Sequence, residues 1–276
     1  GNNSFIFNNT LRNGSGGIAI HGSNSHIVSN NFLDFQFNLA YPNSYSKRGE
    51  GLITLTNLSS NNTITNNLFK NLEDIHAINI FSSDDNLISY NNFTDSGQGW
   101  HTIRDRSGYR NNYNNNTFDR CSGDDYMTVP WYQSCMIFYF WSYPDDYRGG
   151  EHVVENNTFN SYNSGVRFLS YQDNSTIQNN NFDNGHHAIG LWNWPDGGNV
   201  APSGIIIFNN SINDTNYPIA LDFHYAGYPG IDNSVISNKI TNTGHRAIVV
   251  WSTYKNFTIK DNYIDNSTEG IWIFDN

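Results

Sequence analysis

Charge is scarce in this chain, and positive charge scarcer still. Only 14% of its 276 residues are charged, and 14 Lys and Arg stand against 25 Asp and Glu, for a net charge of −11. An acidic body of this kind disfavours nucleic acid and anionic membrane surfaces as partners. It leaves room for a local Arg/His patch that meets an acidic polysaccharide. No apolar run approaches the ~20 residues of a membrane-spanning helix, so no membrane insertion is expected. There is no phosphate-cradling glycine loop, no nucleophile-elbow motif and no tight metal-ligand spacing. No cofactor is therefore indicated. The acidic turns Asp84–Asp85 and Asp145–Asp146 read as solvated, with calcium as the competing reading. The two cysteines, Cys121 and Cys135, lie in one long repeat unit and are either bridged there or left as thiols. The chain begins inside a repeat at Gly1, which suggests a fragment of a longer protein.

What the chain has in abundance is Asn, in a fixed frame. An Asn with an apolar residue three before it and another two after it recurs at 9, 31, 67, 91, 116, 157, 180, 210, 238 and 262. The flanking residues include Val28 and Leu33, Ile64 and Phe69, and Val154 and Phe159. Steps between these Asn residues, by subtraction, are 22, 36, 24, 25, 41, 23, 30, 28 and 24. A period in this range marks a stacked repeat architecture. Each unit carries a second alternating segment, such as Ala77–Ile80, Gly165–Phe168 or Ala188–Leu191, and no helical pattern. Two or three strands per turn give an all-β fold: a single-stranded parallel β-helix of about ten coils, right-handed, spanning 1–276 as one domain. The repeated Asn suits a bend where coils stack, because its amide bonds the Asn above and below and tolerates left-handed backbone.

Insertions interrupt the coils, and a long loop in a regular scaffold usually carries function. Those after Trp141, Trp192 and His224 leave one end of the second strand. The Cys121 segment, and the one from Phe35 to Gly49, leave the other. Together they flank the outer face of the second-strand sheet across coils four to eight. Alternation places Arg104, Arg167, Gly190, Trp192, Asp222, His224 and Trp251 outward on that floor, with Gly190 as an open patch.

Outward aromatics offer flat faces to sugar rings, and the candidates are Trp141, Trp192, Trp194, Trp251 and Tyr171, with His187 beside them. Arg104 and Arg167 suit a uronic acid carboxylate. Asp222 is the first candidate for acid/base work on a glycosidic bond, with His224 next to it. A partner carboxylate would stand ~5–9.5 Å away, supplied by Asp105 first and by Asp124, Asp125 or Asp196 otherwise. No Lys occurs in coils four to eight, so a lyase here would rely on Arg or His.

The frame Asn156-Asn157-Thr158-Phe159 followed by Ser164-Gly165-Val166-Arg167-Phe168 resembles the right-handed parallel β-helix repeat of pectate-lyase-like carbohydrate-active proteins. The heavy Asn content and aromatic loops are also similar to archaeal surface β-helix proteins, among them the disaggregatases of methanogens. That resemblance implies a secreted enzyme cutting methanochondroitin, a polymer of uronic acid and galactosamine. Gly123-Asp124-Asp125, Gly185-His186 and Gly244-His245 look like polygalacturonase motifs but fall on non-successive coils. Three functions remain open: a glycoside hydrolase or polysaccharide lyase, a non-catalytic glycan-binding module, and a surface-layer spacer. All three are expected to act outside the cell or at its surface, and the sequence leaves association into a homo-oligomer open.

Overall fold

The computed structural model describes residues 3–14, 16–22, 24–36, 51–73, 75–96, 101–121, 134–139, 149–169, 172–192, 200–222, 230–251 and 254–274. Twenty-three of its strands form one sheet, in which each strand pairs in parallel with its equivalent one coil away, and two small two-stranded sheets join Gly149–Gly150 to Gln172–Asp173 and Gly230–Ile231 to Tyr254–Lys255. No helix occurs among the described residues. The result is a parallel β-helix with three strands per coil. A short strand such as Val153–Glu155 carries the Ile/Val/Tyr ladder. A second carries the Phe ladder, as in Thr117–Cys121. The third, as in His76–Phe81 or Ile103–Arg106, forms the face expected to carry the site. From coil six onward the second and third strands fuse, as in Thr158–Leu169 and Asn181–Trp192.

Except in coil two, each coil turns through three left-handed residues five positions apart. Residues with positive φ sit at Asn61, Asn66 and Asn71, at Asn174, Asn179 and Asn184, and at Asn256, Asp261 and Asn266. Asn and Asp visit this left-handed region at least cost among residues with a Cβ, which explains much of the composition. The ladder Asn is therefore the residue after the bend and not the left-handed residue itself. Asn156 bends with φ 55°, and Asn157 points inward.

Asn157 shows how the ladder works. Its backbone N–H and its Nδ2 both donate to Asn180 Oδ1 at 2.9 and 3.0 Å, and Nδ2 also donates to Tyr113 O at 2.9 Å. Its own Oδ1 accepts the same pair of bonds from Asn116. Nine of the ten Asn positions expected above stand in this column. In coil two the position belongs to Asn30, which accepts from Asn9 and bonds Asn67, while Asn31 pairs with Leu68 on the next strand. Coil two lacks the left-handed residue at this bend, so its frame is one residue shorter and Phe32, not Leu33, enters the core.

Five residues earlier runs a second buried column that the sequence frame did not reveal: His26, Asn62, Asn86, Asn111, His152, Ser175 and, further on, Asn233. Between these polar columns the interior is apolar. Phe32, Phe69, Phe93, Phe118, Phe159 and Phe182 stack with ring centroids 4.5–4.9 Å apart and planes within 11°. Cys121 and Cys135 are bridged, with Cα atoms 5.3 Å apart and 14 residues of separation. Closing a loop of that length restricts the unfolded chain by about 3 kcal/mol.

Asn157→Ala should remove the acceptor of Asn116 and the donor to Tyr113 O together. Buried groups left unsatisfied this way cost on the order of 3 kcal/mol. The expected outcome is a lower urea midpoint for Asn157→Ala and for Asn157→Asp, which turns a donor into an acceptor facing two other acceptors. A midpoint like that of the parent in both variants would deny the ladder its energetic role.

Candidate functional site

The outer side of the third strand is built by register. One column reads Thr54, Asn79, Arg104, Ile137, Arg167, Gly190, Ala220, Val249 and Trp272. Arg104, Arg167 and Gly190 thus stand where alternation placed them. A neighbouring column at the strand ends aligns Leu169, Trp192 and Asp222. Along the opposite edge the rings stack: His76 on His101 at 5.8 Å, then His187 on Tyr217 at 5.0 Å and Tyr217 on His245 at 4.8 Å.

Arg104 is half-buried. Its Nε donates to Asn79 Oδ1 at 2.9 Å, and its Nη1 lies 3.2 Å from His76 Nε2. His76 Nδ1 donates to His101 O at 2.8 Å, so Nε2 is left to accept from the guanidinium. Burial, and then the charge of Arg104, lower the His76 pKa to about 3. His101 and His187 are likewise held well below the usual value, chiefly by burial. These imidazoles are neutral at physiological pH, and the positive charge of the face resides in the guanidiniums.

Arg167 is only 1% exposed although it points outward. Its Nε donates to Ser164 Oγ at 2.8 Å, and the Trp192 ring lies 4.2 Å from its guanidinium carbon. Burial lowers its pKa to about 9, which keeps it charged at neutral pH. Gly190 is the reason the indole fits. A Cβ there would stand 2.6 Å from Trp192 Nε1. The expectation of an open patch at Gly190 is therefore corrected: the indole of Trp192 occupies it.

Asp105 also needs correction. It stands in the inward column between Ile80 and Phe138 and is 1% exposed. Its Oδ2 accepts from Tyr113 OH at 2.6 Å and from Asn111 Nδ2 at 2.8 Å, and its Oδ1 accepts from Gly108 N at 3.0 Å. Tyr113 occupies a ladder position that is Ile or Val in most coils, and its hydroxyl reaches across the interior to this carboxylate. Asp105 therefore cannot touch a polymer lying on the outer face.

The other candidates divide cleanly. Trp251 is half-buried on the outer face, and His187 is buried in the ring column. Asp222 has its backbone in register with Trp192, and its side chain lies outside the described residues. His224, Trp141, Trp194 and Tyr171 lie outside them entirely, as do Asp124, Asp125 and Asp196. Of the acidic turns weighed for calcium, Asp85 is bonded to Arg110 at 2.7 and 2.8 Å, and Asp84 accepts from Tyr109 N. Asp145–Asp146 falls outside the described residues.

The described strands that precede the insertions end at two edges of this face. The insertions at 140–148, 193–199 and 223–229 follow strands that end at Tyr139, Trp192 and Asp222. Those at 37–50, 97–100 and 122–133 follow Gln36, Ser96 and Cys121 at the other edge, with Ser96 and Cys121 in register.

Comparison with known proteins agrees with this architecture. A family model described as a right handed beta helix region matches residues 146–276. Comparison with curated proteins finds no match. Among solved structures, the surface adhesin PfbA of Streptococcus pneumoniae aligns over 99% of this chain and 90% of its own, at 16% identity and a TM-score of 0.62. The Dettilon tailspike protein aligns over 99% of this chain and 61% of its own, at 14% identity and 0.58. The polygalacturonase of Erwinia carotovora aligns over 97% of this chain and 81% of its own, at 12% identity and 0.50. The fold is a right-handed parallel β-helix.

Two measurements test the site chemistry. An unfolded His76 takes up its proton near pH 6.5, whereas the folded one resists until about pH 3. The unfolded state binds more protons within that window, so stability falls as pH is lowered through it, by up to about 1.4 kcal/mol per unit from this residue. Replacing it in His76→Gln should flatten urea midpoints between pH 6 and pH 4, and an unchanged slope would contradict a neutral buried His76. Asp105→Ala should cost about 3 kcal/mol, and adding Tyr113→Phe should cost less than the two single effects summed, because they share one hydrogen bond.

Proposed function

We propose that this chain is a secreted enzyme acting at or outside the cell surface, a glycoside hydrolase that cuts an acidic polysaccharide of the chondroitin-like class. The observation that carries this reading is the pair Arg104 and Arg167, placed on one outward column two rungs apart. That is roughly 10 Å at ~4.8 Å per rung. They share the face with neutral imidazoles and with an indole laid over one guanidinium. A polymer lying along the helix axis would set a uronate carboxylate on Arg104 and a sugar face on Trp192. Arg167, beneath that indole, fixes it in place and adds positive potential to the floor. Its direct contact with a carboxylate would require the indole to swing away.

Asp222 supplies one carboxylate for acid/base cleavage, with His224 two residues on. Asp105 faces the interior, so the partner carboxylate comes from Asp124, Asp125 or Asp196. Trp141, Trp194 and Tyr171, with Trp251 and His187, are the remaining ring contacts. The likeness to disaggregatases would make the polymer methanochondroitin. The same guanidiniums would serve a lyase by neutralising the carboxylate beside the proton to be removed. The whole-length likeness to the PfbA adhesin supports a second reading, a glycan-binding module without turnover.

Incubation with chondroitin-like and pectin-like polymers separates these readings. New reducing ends without ultraviolet absorbance mean hydrolysis. An unsaturated, absorbing product means elimination, and retention without products means a binding module. On a polymer that is cut, Asp222→Asn should lower turnover by about 10²–10⁴-fold with the melting temperature unchanged. Activity within a few-fold of the parent would remove Asp222 from the mechanism.

A further inference from the structure

The outer face carries a further aromatic group, in which Trp251 is joined by two rings not yet considered, Trp272 and Phe274. Trp251 stacks on Phe274 with centroids 4.3 Å apart and planes 6° apart. Trp272, in register with Val249 on the Arg104–Arg167 column, meets Phe274 edge to face. The Arg246 guanidinium lies over Trp272 and is bonded to Glu269 Oε2 at 2.6 Å. All three rings are half-buried. Between this group and Arg167 the column holds Gly190, Ala220 and Val249, so no long side chain rises from that column between the two sites.

We propose that Trp251, Trp272 and Phe274 form a remote subsite that stacks an uncharged sugar ring of the same polymer that occupies the Arg104–Arg167 centre. The proposal rests on the polysaccharide reading above. Indole and phenyl faces match the apolar C–H faces of a pyranose, and aromatic stacking of this kind is directional. Among the described residues the one cation lying over these rings, Arg246, is paired with Glu269. The platform therefore has no net charge with which to select a carboxylate, unlike the floor at Arg104. From Arg167 to Trp272 is four rungs, roughly 19 Å at ~4.8 Å per rung. Only a chain several sugars long spans that distance, so the subsite makes the protein prefer polymer over short oligosaccharide.

The test is affinity gel electrophoresis against chondroitin, polygalacturonate and α-1,3-glucan, with chondroitin disaccharide and longer fragments as competitors. Trp272→Ala should weaken retardation by long chains about tenfold, the order of one well-made ring contact. Its affinity for the disaccharide should match that of the parent, and Trp272→Phe should restore most of the loss. Arg104→Ala should weaken binding to acidic polymers of every length. Equal loss of long and short ligands in Trp272→Ala, or no loss at all, overturns the subsite. If Trp272→Ala does not fold, Arg246→Gln, which frees Glu269 to repel an acidic chain, must still show the length dependence or the proposal falls. Retardation of the parent only by the neutral glucan, with Trp272→Ala still length-dependent, sinks the acidic-polymer reading and leaves the subsite standing. Retardation by none of the three sinks both.

Discussion

The structure depends on how the coil turns its corners. Bends five residues apart leave backbone amides at two of the corners facing the interior, away from any strand partner. Such groups must be satisfied by side chains. Asn meets the need because it carries an acceptor and two donors on a short arm. In the column through Asn67, Asn91, Asn116 and Asn157, one Oδ1 serves both the backbone and the side-chain amide of the coil below. The exposed residue just before it takes the left-handed conformation, and Asn tolerates that as well. A single residue type thus answers a hydrogen-bonding demand and a backbone demand at adjacent positions.

Once the corners are fixed, register follows, and the functional face is a consequence of register. His76, Arg104, Arg167 and Trp192 are far apart in sequence, yet stacking places them on one surface because each coil repeats the position of the last. The same logic explains why the coil lengths vary so widely without disturbing the sheet. Insertions leave at strand ends, and the strands on either side still meet their neighbours. In a solenoid, stability is shared between adjacent coils. The regular coils on both sides can therefore hold coils four to seven, where polar groups are buried on the outer face as well as inside.

The fold was legible because its signal is periodic, and each misreading has a local cause. At coil two, Val28-Ser29-Asn30-Asn31-Phe32-Leu33 satisfies the frame at Asn31 with Leu33, but the missing left-handed residue moves the ladder to Asn30. The second buried column carries no sequence frame because its occupants differ: His26, Asn62, His152 and Ser175 share a position and a role, not an identity. Gly190 was read as a gap, since no pattern in sequence tells that a tryptophan two residues later folds back over it. Asp105 stands out in the sequence as a partner carboxylate because the apolar strand pattern fails in coil four. Alternation from Ile103 pointed it inward, and the Tyr at ladder position 113 was the signal that an interior acceptor needed a donor.

The position of Asp105 bears on the face it does not join. It lies between Arg104 and Arg106 on one strand, with its carboxylate turned to the interior and Arg104 turned to the outer face. Only the thickness of a strand separates the anion from the guanidinium, in surroundings where charges interact more strongly than in water. The carboxylate is held by Tyr113, Asn111 and Gly108 on the inner side, and burial is what lowers the pKa of Arg167 on the outer side. The neutral state of His76 and His101 matters here, since protonation there would add like charge beside the guanidiniums. A positive floor can persist on an acidic protein because its charge is confined to groups that stay ionised.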